Sequence, residues 1–175
     1  MKKLILAALV VIAFNSCATI KVSSDYDNTA KFSEYKTYAF TPESQQLQLD
    51  DLNKNRIITA VENEMSLKGF TKSDKPDILI DLKLTAETKE TATVNSTGGY
   101  GRYGWRGGYS SATVNYDSYK EGTLIVDMVD AVKQQLVWEG RGVGTVNPDA
   151  SAEKRVANIN NAVKMIFTKY PPKVK

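Results

Sequence analysis

Histidine is absent from the chain of 175 residues. Its absence excludes Ser-His-Asp and Cys-His catalytic triads, metal sites built on imidazole, and the side chain that most often acts as a general base near neutral pH. We therefore predict no catalytic residues, no cofactor and no metal, and we expect that the protein is not an enzyme.

Cysteine and long hydrophobic runs are also scarce. Cys17 is the only cysteine, and the longest apolar run covers residues 4–14, directly after Lys2 and Lys3. A transmembrane helix needs roughly 20 apolar residues, so this run is too short to span a membrane. A cationic start before a short apolar run is typical of a secretory signal peptide. We predict that residues 1–16 are a cleaved signal peptide.

The cysteine lies where such a peptide is cut. A lipobox has the general form Leu, small, small, Cys; Ser16 and Cys17 fit this form, and Phe14 and Asn15 depart from its first two positions. Ordinary secretion would leave an unpaired thiol in an oxidising compartment, and lipidation removes that thiol. We predict that Cys17 carries lipid in a bacterial lipoprotein, with ordinary secretion as the alternative. Ala18 in place of Asp predicts sorting to the outer membrane, with the domain facing the periplasm.

The chain has little excess charge of either sign. Its formal net charge is +3, and two of these charges, Lys2 and Lys3, leave with the signal peptide. So small an excess excludes an electrostatic footprint for nucleic acid. The predicted partners are the membrane, through the lipid anchor, and envelope proteins or glycans.

The pattern of residues 17–175 predicts a single α+β domain with one core. Alternation of apolar and polar residues indicates strands, and spacings of three and four indicate helices. The predicted strands cover residues 20–26, 35–40, 78–87, 112–119, 122–129 and 136–143. The predicted helices cover residues 52–68 and the segment that begins at Asn147-Pro148. We predict two layers: a single, mostly antiparallel sheet of about five to six strands, and two amphipathic helices packed on one face.

Individual residues fix the ends of these elements. Asp50 or Asp51 is predicted to cap the first helix, and Gly69 to end it, because glycine takes the left-handed conformation at low cost. Asn147 is predicted to cap the last helix. Asp130 is expected to close a hairpin by bonding its own backbone. The predicted core includes Val126, Trp138, Val163 and Phe167.

A series of short motifs follows Cys17 in a fixed order. They are residues 24–27 (SDYD), 32–40 (FSEYKTYAF), 68–70 (KGF), 76–77 (PD), 121–127 (EGTLIVD), 136–140 (LVWEG) and 170–172 (YPP). Together the motifs resemble those of the bacterial lipoproteins grouped as domain of unknown function 4136, over nearly the whole mature chain. The resemblance implies an envelope lipoprotein with a small α+β domain, and it implies no catalytic or binding residues.

A glycine-rich segment, residues 97–110, interrupts the predicted strands. Its glycines alternate with aromatic and arginine side chains: Tyr100, Arg102, Tyr103, Trp105, Arg106 and Tyr109. Aromatic faces and arginines bind sugars and peptides, and glycine lets a ligand approach the backbone closely. The segment is therefore either a ligand-binding loop or a long hairpin tip without a ligand.

Carboxylates on the predicted strands offer a third possibility. Asp77, Asp81, Asp127 and Glu139 could form the acid pair of a glycosidase. Asp127, Glu139 and Arg141 fall on the predicted solvent face, however, where cross-strand charge pairs are common. The sequence thus favours a non-enzymatic structural or scaffold component of the envelope. The alternatives are a glycan- or peptide-binding module that uses the segment 97–110, and a carboxylate-dependent hydrolase.

Overall fold

The computed structural model describes residues 20–96 and 112–173. Within them the chain forms six strands and two α-helices, the predicted α+β arrangement. The strands are β1 (Lys21–Tyr26), β2 (Thr37–Phe40), β3 (Thr71–Lys72), β4 (Ile78–Ser96), β5 (Ala112–Asp130) and β6 (Gln135–Val146). The helices are α1 (Asp51–Leu67) and α2 (Ala152–Phe167), and a short 3-10 helix covers Glu43–Gln46.

The strands form one open sheet in the order β1-β6-β5-β4-β2-β3. The pairs β1–β6, β6–β5 and β5–β4 are antiparallel, which confirms the prediction of a mostly antiparallel sheet. β2 lies parallel to both β4 and β3. Parallel neighbours need a long crossover connection, and α1 supplies it between β2 and β4.

The core lies between the helices and one face of the sheet. Alternate residues of β4 and β5 point into it, and so do the apolar stripes of both helices. The fully buried large side chains include Ile78, Ile80, Val126, Met128 and Trp138 from the sheet, and Val61, Met65, Val163, Ile166 and Phe167 from the helices. All four core residues predicted from the sequence are therefore buried.

Most of the predicted element ends are confirmed. Asp50 caps α1 by accepting a hydrogen bond from Asn53 N at 3.0 Å. Gly69 has φ = 83°, the left-handed conformation that ends the helix. Asp130 Oδ1 accepts hydrogen bonds from the backbone of Val132 and Lys133 at 3.0 and 2.9 Å, which closes the β5–β6 hairpin.

Two predicted boundaries are wrong. Asn147 does not cap α2; its side chain accepts from Asp149 N in a local turn, and Ser151 is the cap. The predicted strands 112–119 and 122–129 are one strand, because Glu121 and Gly122 stay paired with β4 instead of breaking the ladder.

β4 and β5 form an arm that extends past the rest of the sheet. β6 pairs with β5 only as far as Lys120, and β2 pairs with β4 only as far as Ile80. The two strands of the arm continue as partners to the Ser96–Ala112 pair.

In the part of the chain that the structure describes, no helix is long and apolar enough to cross a membrane.

Candidate functional site

The core becomes thinner toward the base of this arm. Rows of side chains cross β4, β5 and β6 on the helix-facing side, and the side chains are largest in the first row and smallest in the fourth. The first row is Ile80–Met128–Trp138, the second Leu82–Val126–Gly140, the third Leu84–Leu124–Gly142, and the fourth Ala86–Gly122–Gly144. The loss of side-chain volume leaves space between the sheet and the helices.

Neighbouring side chains fill part of this space. A Cβ at Gly140 would lie 2.2 Å from Trp138 Cη2, so the indole occupies the position above Gly140. A Cβ at Gly142 would lie 2.9 Å from Ile166 Cδ1. At Gly144 the nearest atom would be Ile20 Cγ1, at 3.4 Å. The filling therefore stops at Gly144, and a cavity begins there.

This cavity, the helix–sheet pocket, has a volume of about 390 Å3. Its floor is the glycine face of the sheet, its walls come from α1 and α2, and the 147–150 turn closes one side. The lining residues are Ile20, Leu49, Asn53, Ile57, Leu84, Gly122, Leu124, Gly142, Gly144, Thr145, Val146, Asn147, Pro148, Ala150, Arg155, Asn158, Ile159 and Ala162. A mostly apolar cavity of this size with a few polar groups is the common form of a ligand-binding site.

Among the described residues of this lining, Arg155 is the only ionisable one. Its Nε donates to the carbonyl of Ala150 at 3.0 Å, and its Nη2 donates to the carbonyl of Pro148 at 2.9 Å. These two bonds fix the guanidinium against the turn before α2. The turn itself is held by the Asn147 side chain, which explains why Asn147 lies outside the helix.

Charged side chains on the opposite face of the sheet form a separate cluster. Lys83 Nζ lies 2.6 Å from Asp127 Oδ2 and 3.5 Å from Asp81 Oδ2, and the hydrogen bond to Asp127 raises the pKa of Lys83. Arg141 lies 3.5 Å from Glu139. The Lys83–Asp127 pair joins two strands, as cross-strand pairing predicts, whereas Glu139 and Arg141 lie on the same strand, β6. The expected exposure of Asp127 is wrong. Asp127 is only 4% exposed, because Lys83 and the flanking strands cover it.

The remaining carboxylate proposed for a hydrolase, Asp77, holds the backbone. Asp77 Oδ2 accepts from the backbone N–H groups of Lys36 and Thr37, both at 2.9 Å, and these bonds lower its pKa. Asp130 also accepts from the Tyr35 hydroxyl at 3.0 Å. Burial, assisted by this bond, raises the pKa of Tyr35 to about 12. Among the described residues, no group of three or more acidic or cysteine side chains is arranged to hold a metal.

Cys17 and the segment 97–110 fall outside the described residues, so their roles remain predictions. The helix–sheet pocket was not predicted. A signal for it exists, because Gly140, Gly142 and Gly144 alternate along one strand and so lie on one face. Sequence alone does not show that helices leave this face partly uncovered.

The chain belongs to the family described as Domain of unknown function (DUF4136), which matches residues 22–172. No curated protein matches the chain.

Two solved structures share the fold. A PDZ domain protein from Parabacteroides distasonis ATCC 8503 matches 98% of the chain with a TM-score of 0.55 and 15% identity. The match covers 41% of that protein, so the chain spans about two fifths of its length. The PelC dodecamer structure from Paraburkholderia phytofirmans, in space group P6, matches 86% of the chain and 96% of PelC, with a TM-score of 0.50 and 8% identity. At these identities the likeness concerns the fold alone.

Proposed function

We propose that this member of the DUF4136 family is a non-enzymatic, lipid-anchored protein of the bacterial envelope whose domain binds an apolar chain in the helix–sheet pocket. Cys17 carries the anchor, and the domain faces the periplasm from the outer membrane. The observation that carries the proposal is the pocket itself, an apolar cavity of about 390 Å3 with a glycine floor. Ligand pockets commonly have volumes of about 300–1,000 Å3.

The chemistry of the lining favours binding over catalysis. Among the residues that the structure describes, no carboxylate, cysteine or tyrosine lines the pocket, and its polar residues are asparagines, a threonine and Arg155. None of these is a nucleophile with an adjacent base of the kind that covalent catalysis needs. Burying an apolar chain stabilises the complex by about 25 cal/mol per Å2 of apolar surface removed from water, before the cost of association.

The position of the pocket relative to the chain start supports the same function. Ile20 lines the pocket, and only two residues separate it from Cys17. At about 3.3–3.6 Å per residue, the anchored cysteine lies no more than about 11 Å along the chain from this wall. A lipid at Cys17 would therefore hold the pocket close to the membrane surface, where apolar chains are concentrated.

Binding of a neutral fluorescent probe, N-phenyl-1-naphthylamine, tests this proposal. The protein is the mature chain 17–175 with Cys17→Ser, which retains every core residue. We expect saturable binding. Ala162 lines the pocket on α2, and Ala162→Met should fill it and abolish binding. Ala157→Met adds the same side chain at an exposed position of the same helix and should leave binding unchanged.

A second variant guards against misfolding of the first. Gly144→Val adds a β-branched side chain to a strand, where such residues fit well, and directs it into the pocket. The melting temperature of each variant reports whether it is folded. A folded Ala162→Met or Gly144→Val variant that binds the probe as tightly as the parent chain would overturn the proposal.

A further inference from the structure

The single charge in the helix–sheet pocket indicates which apolar chains it takes. Arginine has five N–H donors, and Arg155 uses two of them for the carbonyls of Pro148 and Ala150. None of the ion pairs among the described residues includes Arg155. Arg155 is half-buried, and its other three N–H donors have no hydrogen-bond partner among the described residues.

Three acidic side chains close in sequence to lining residues have other partners or lie outside the pocket. Asp50 accepts hydrogen bonds from the backbone and the side-chain amide of Asn53, at 3.0 and 2.7 Å. Asp149 and Glu153 are exposed, and neither lines the cavity. Arg56 donates to Asn53 Oδ1 at 2.7 Å, and its charge lies close to the carboxylates of Asp50 and Glu153 outside the pocket. The described residues of the lining therefore carry one positive charge and no negative charge.

We infer that the helix–sheet pocket binds a single-chain anionic amphiphile of the fatty-acid class, with its hydrocarbon chain on the glycine floor and its carboxylate at Arg155. This inference rests on the proposed function and names its ligand class. The planar guanidinium fork matches a carboxylate, and a charge-assisted hydrogen bond is stronger than a neutral one. A volume of about 390 Å3 lies near the lower end of the range for ligand pockets, which favours one chain over two.

Displacement of N-phenyl-1-naphthylamine by three ligands with the same twelve-carbon chain tests the inference. The ligands are dodecanoate, dodecanol and dodecyltrimethylammonium, used below their critical micelle concentrations with the mature Cys17→Ser chain. We expect dodecanoate to displace the probe at roughly one tenth of the dodecanol concentration, since a charged hydrogen bond accounts for about a tenfold change in affinity. Dodecyltrimethylammonium should be the weakest.

Two variants assign this preference to Arg155. Arg155→Met should bring dodecanoate to the level of dodecanol. Lys154→Met removes the same charge from an exposed neighbour on α2 and should preserve the tenfold preference. The ranking of the three head groups on the parent chain needs no variant, so the test holds even if Arg155→Met fails to fold.

The outcomes separate the two proposals. If dodecanol and dodecanoate displace the probe equally, the inference is wrong and the proposed function stands. If the preference survives in a folded Arg155→Met variant, the inference is also wrong. If the probe itself does not bind, the proposed function fails and the inference fails with it.

Discussion

Trp138 occupies the space that a side chain at Gly140 would need. A Cβ at Gly140 would stand 2.2 Å from Trp138 Cη2 and 2.6 Å from Ile166 Cγ2, and both of these side chains are fully buried. Glycine at this position therefore lets a large indole fold back over its own strand. β6 also has glycine at positions 142 and 144. No tryptophan side chain lies over these two glycines, and both line the pocket.

This relationship predicts opposite effects for two identical substitutions on β6. Gly140→Ala forces the indole or Ile166 to move and should lower the free energy of unfolding by about 1–3 kcal/mol, as overpacking of a core does. Gly144→Ala meets its nearest atom at 3.4 Å. It should leave stability unchanged or raise it by up to about 1 kcal/mol, through lower entropy of the unfolded chain. Urea unfolding of both variants measures the difference, and equal effects would contradict this packing.

The Asp130 hairpin predicts how stability changes in acid. The backbone N–H of Lys133, with further bonds from Tyr35 and Val132, lowers the pKa of Asp130 in the folded state. The unfolded value is about 3.9. The ionised carboxylate therefore stabilises the fold above about pH 4, and this contribution is lost as the pH falls through the lower folded pKa.

Asp130→Asn tests this pH dependence, because the amide oxygen can still accept the hairpin bonds but carries no charge. We expect the unfolding free energy of the parent chain to fall more steeply than that of the variant as the pH decreases below about 4. Parallel pH profiles of the two proteins in that window would show that the Asp130 charge does not stabilise the fold.

The anchor at Cys17 remains a prediction from the sequence. Cys17→Ser should abolish incorporation of labelled lipid and release the protein from membranes as a soluble or unprocessed form. A typical Gram-negative lipoprotein carries three acyl chains. At about 0.8 kcal/mol of membrane affinity per buried methylene, these chains would hold the protein in the membrane almost permanently. Metabolic labelling in intact cells measures the incorporation of lipid. Labelled lipid on the Cys17→Ser protein would exclude Cys17 as the lipidation site.

The segment 97–110 is predicted to contribute little to stability. Ser96 and Ala112 are direct partners across β4 and β5, so an Asn-Gly turn can join them in place of residues 97–111. We expect the shortened protein to melt at a similar temperature, since loop length changes closure entropy only slightly. It should bind N-phenyl-1-naphthylamine as the parent does. Loss of the fold would mean that the aromatic side chains of the segment belong to the core.

Strong local patterns predicted most of the fold. The alternation along residues 78–84 places Ile78, Ile80 and Leu82 in the core, and Gly69 ends α1 as its left-handed conformation requires. These features were predictable because each depends on a few consecutive residues. The parallel pairing of β2 and β3 was not predictable from the sequence, since β3 has only two residues and its position depends on distant strands.

Errors arose where tertiary contacts choose between equivalent local signals. Asn147 and Ser151 are both good helix caps. The hydrogen bonds from Arg155 to the carbonyls of Pro148 and Ala150 favour a helix that begins after Ser151. Asp127 alternates as a solvent-facing residue does, yet Lys83 covers it. The pocket is lined by residues of three strands and two helices that are far apart in sequence, so the alternation of glycines along β6 is not enough to predict it.

Amide chemical-shift mapping with dodecanol, a neutral apolar chain, tests the central claim most directly. The helix–sheet pocket predicts that shifts concentrate at its floor and wall, at Gly122, Gly142, Gly144 and Ile159, and that the folded Ala162→Met variant lacks them. Shifts confined to residues 97–110, or shifts that persist unchanged in the folded Ala162→Met variant, would contradict binding in the pocket.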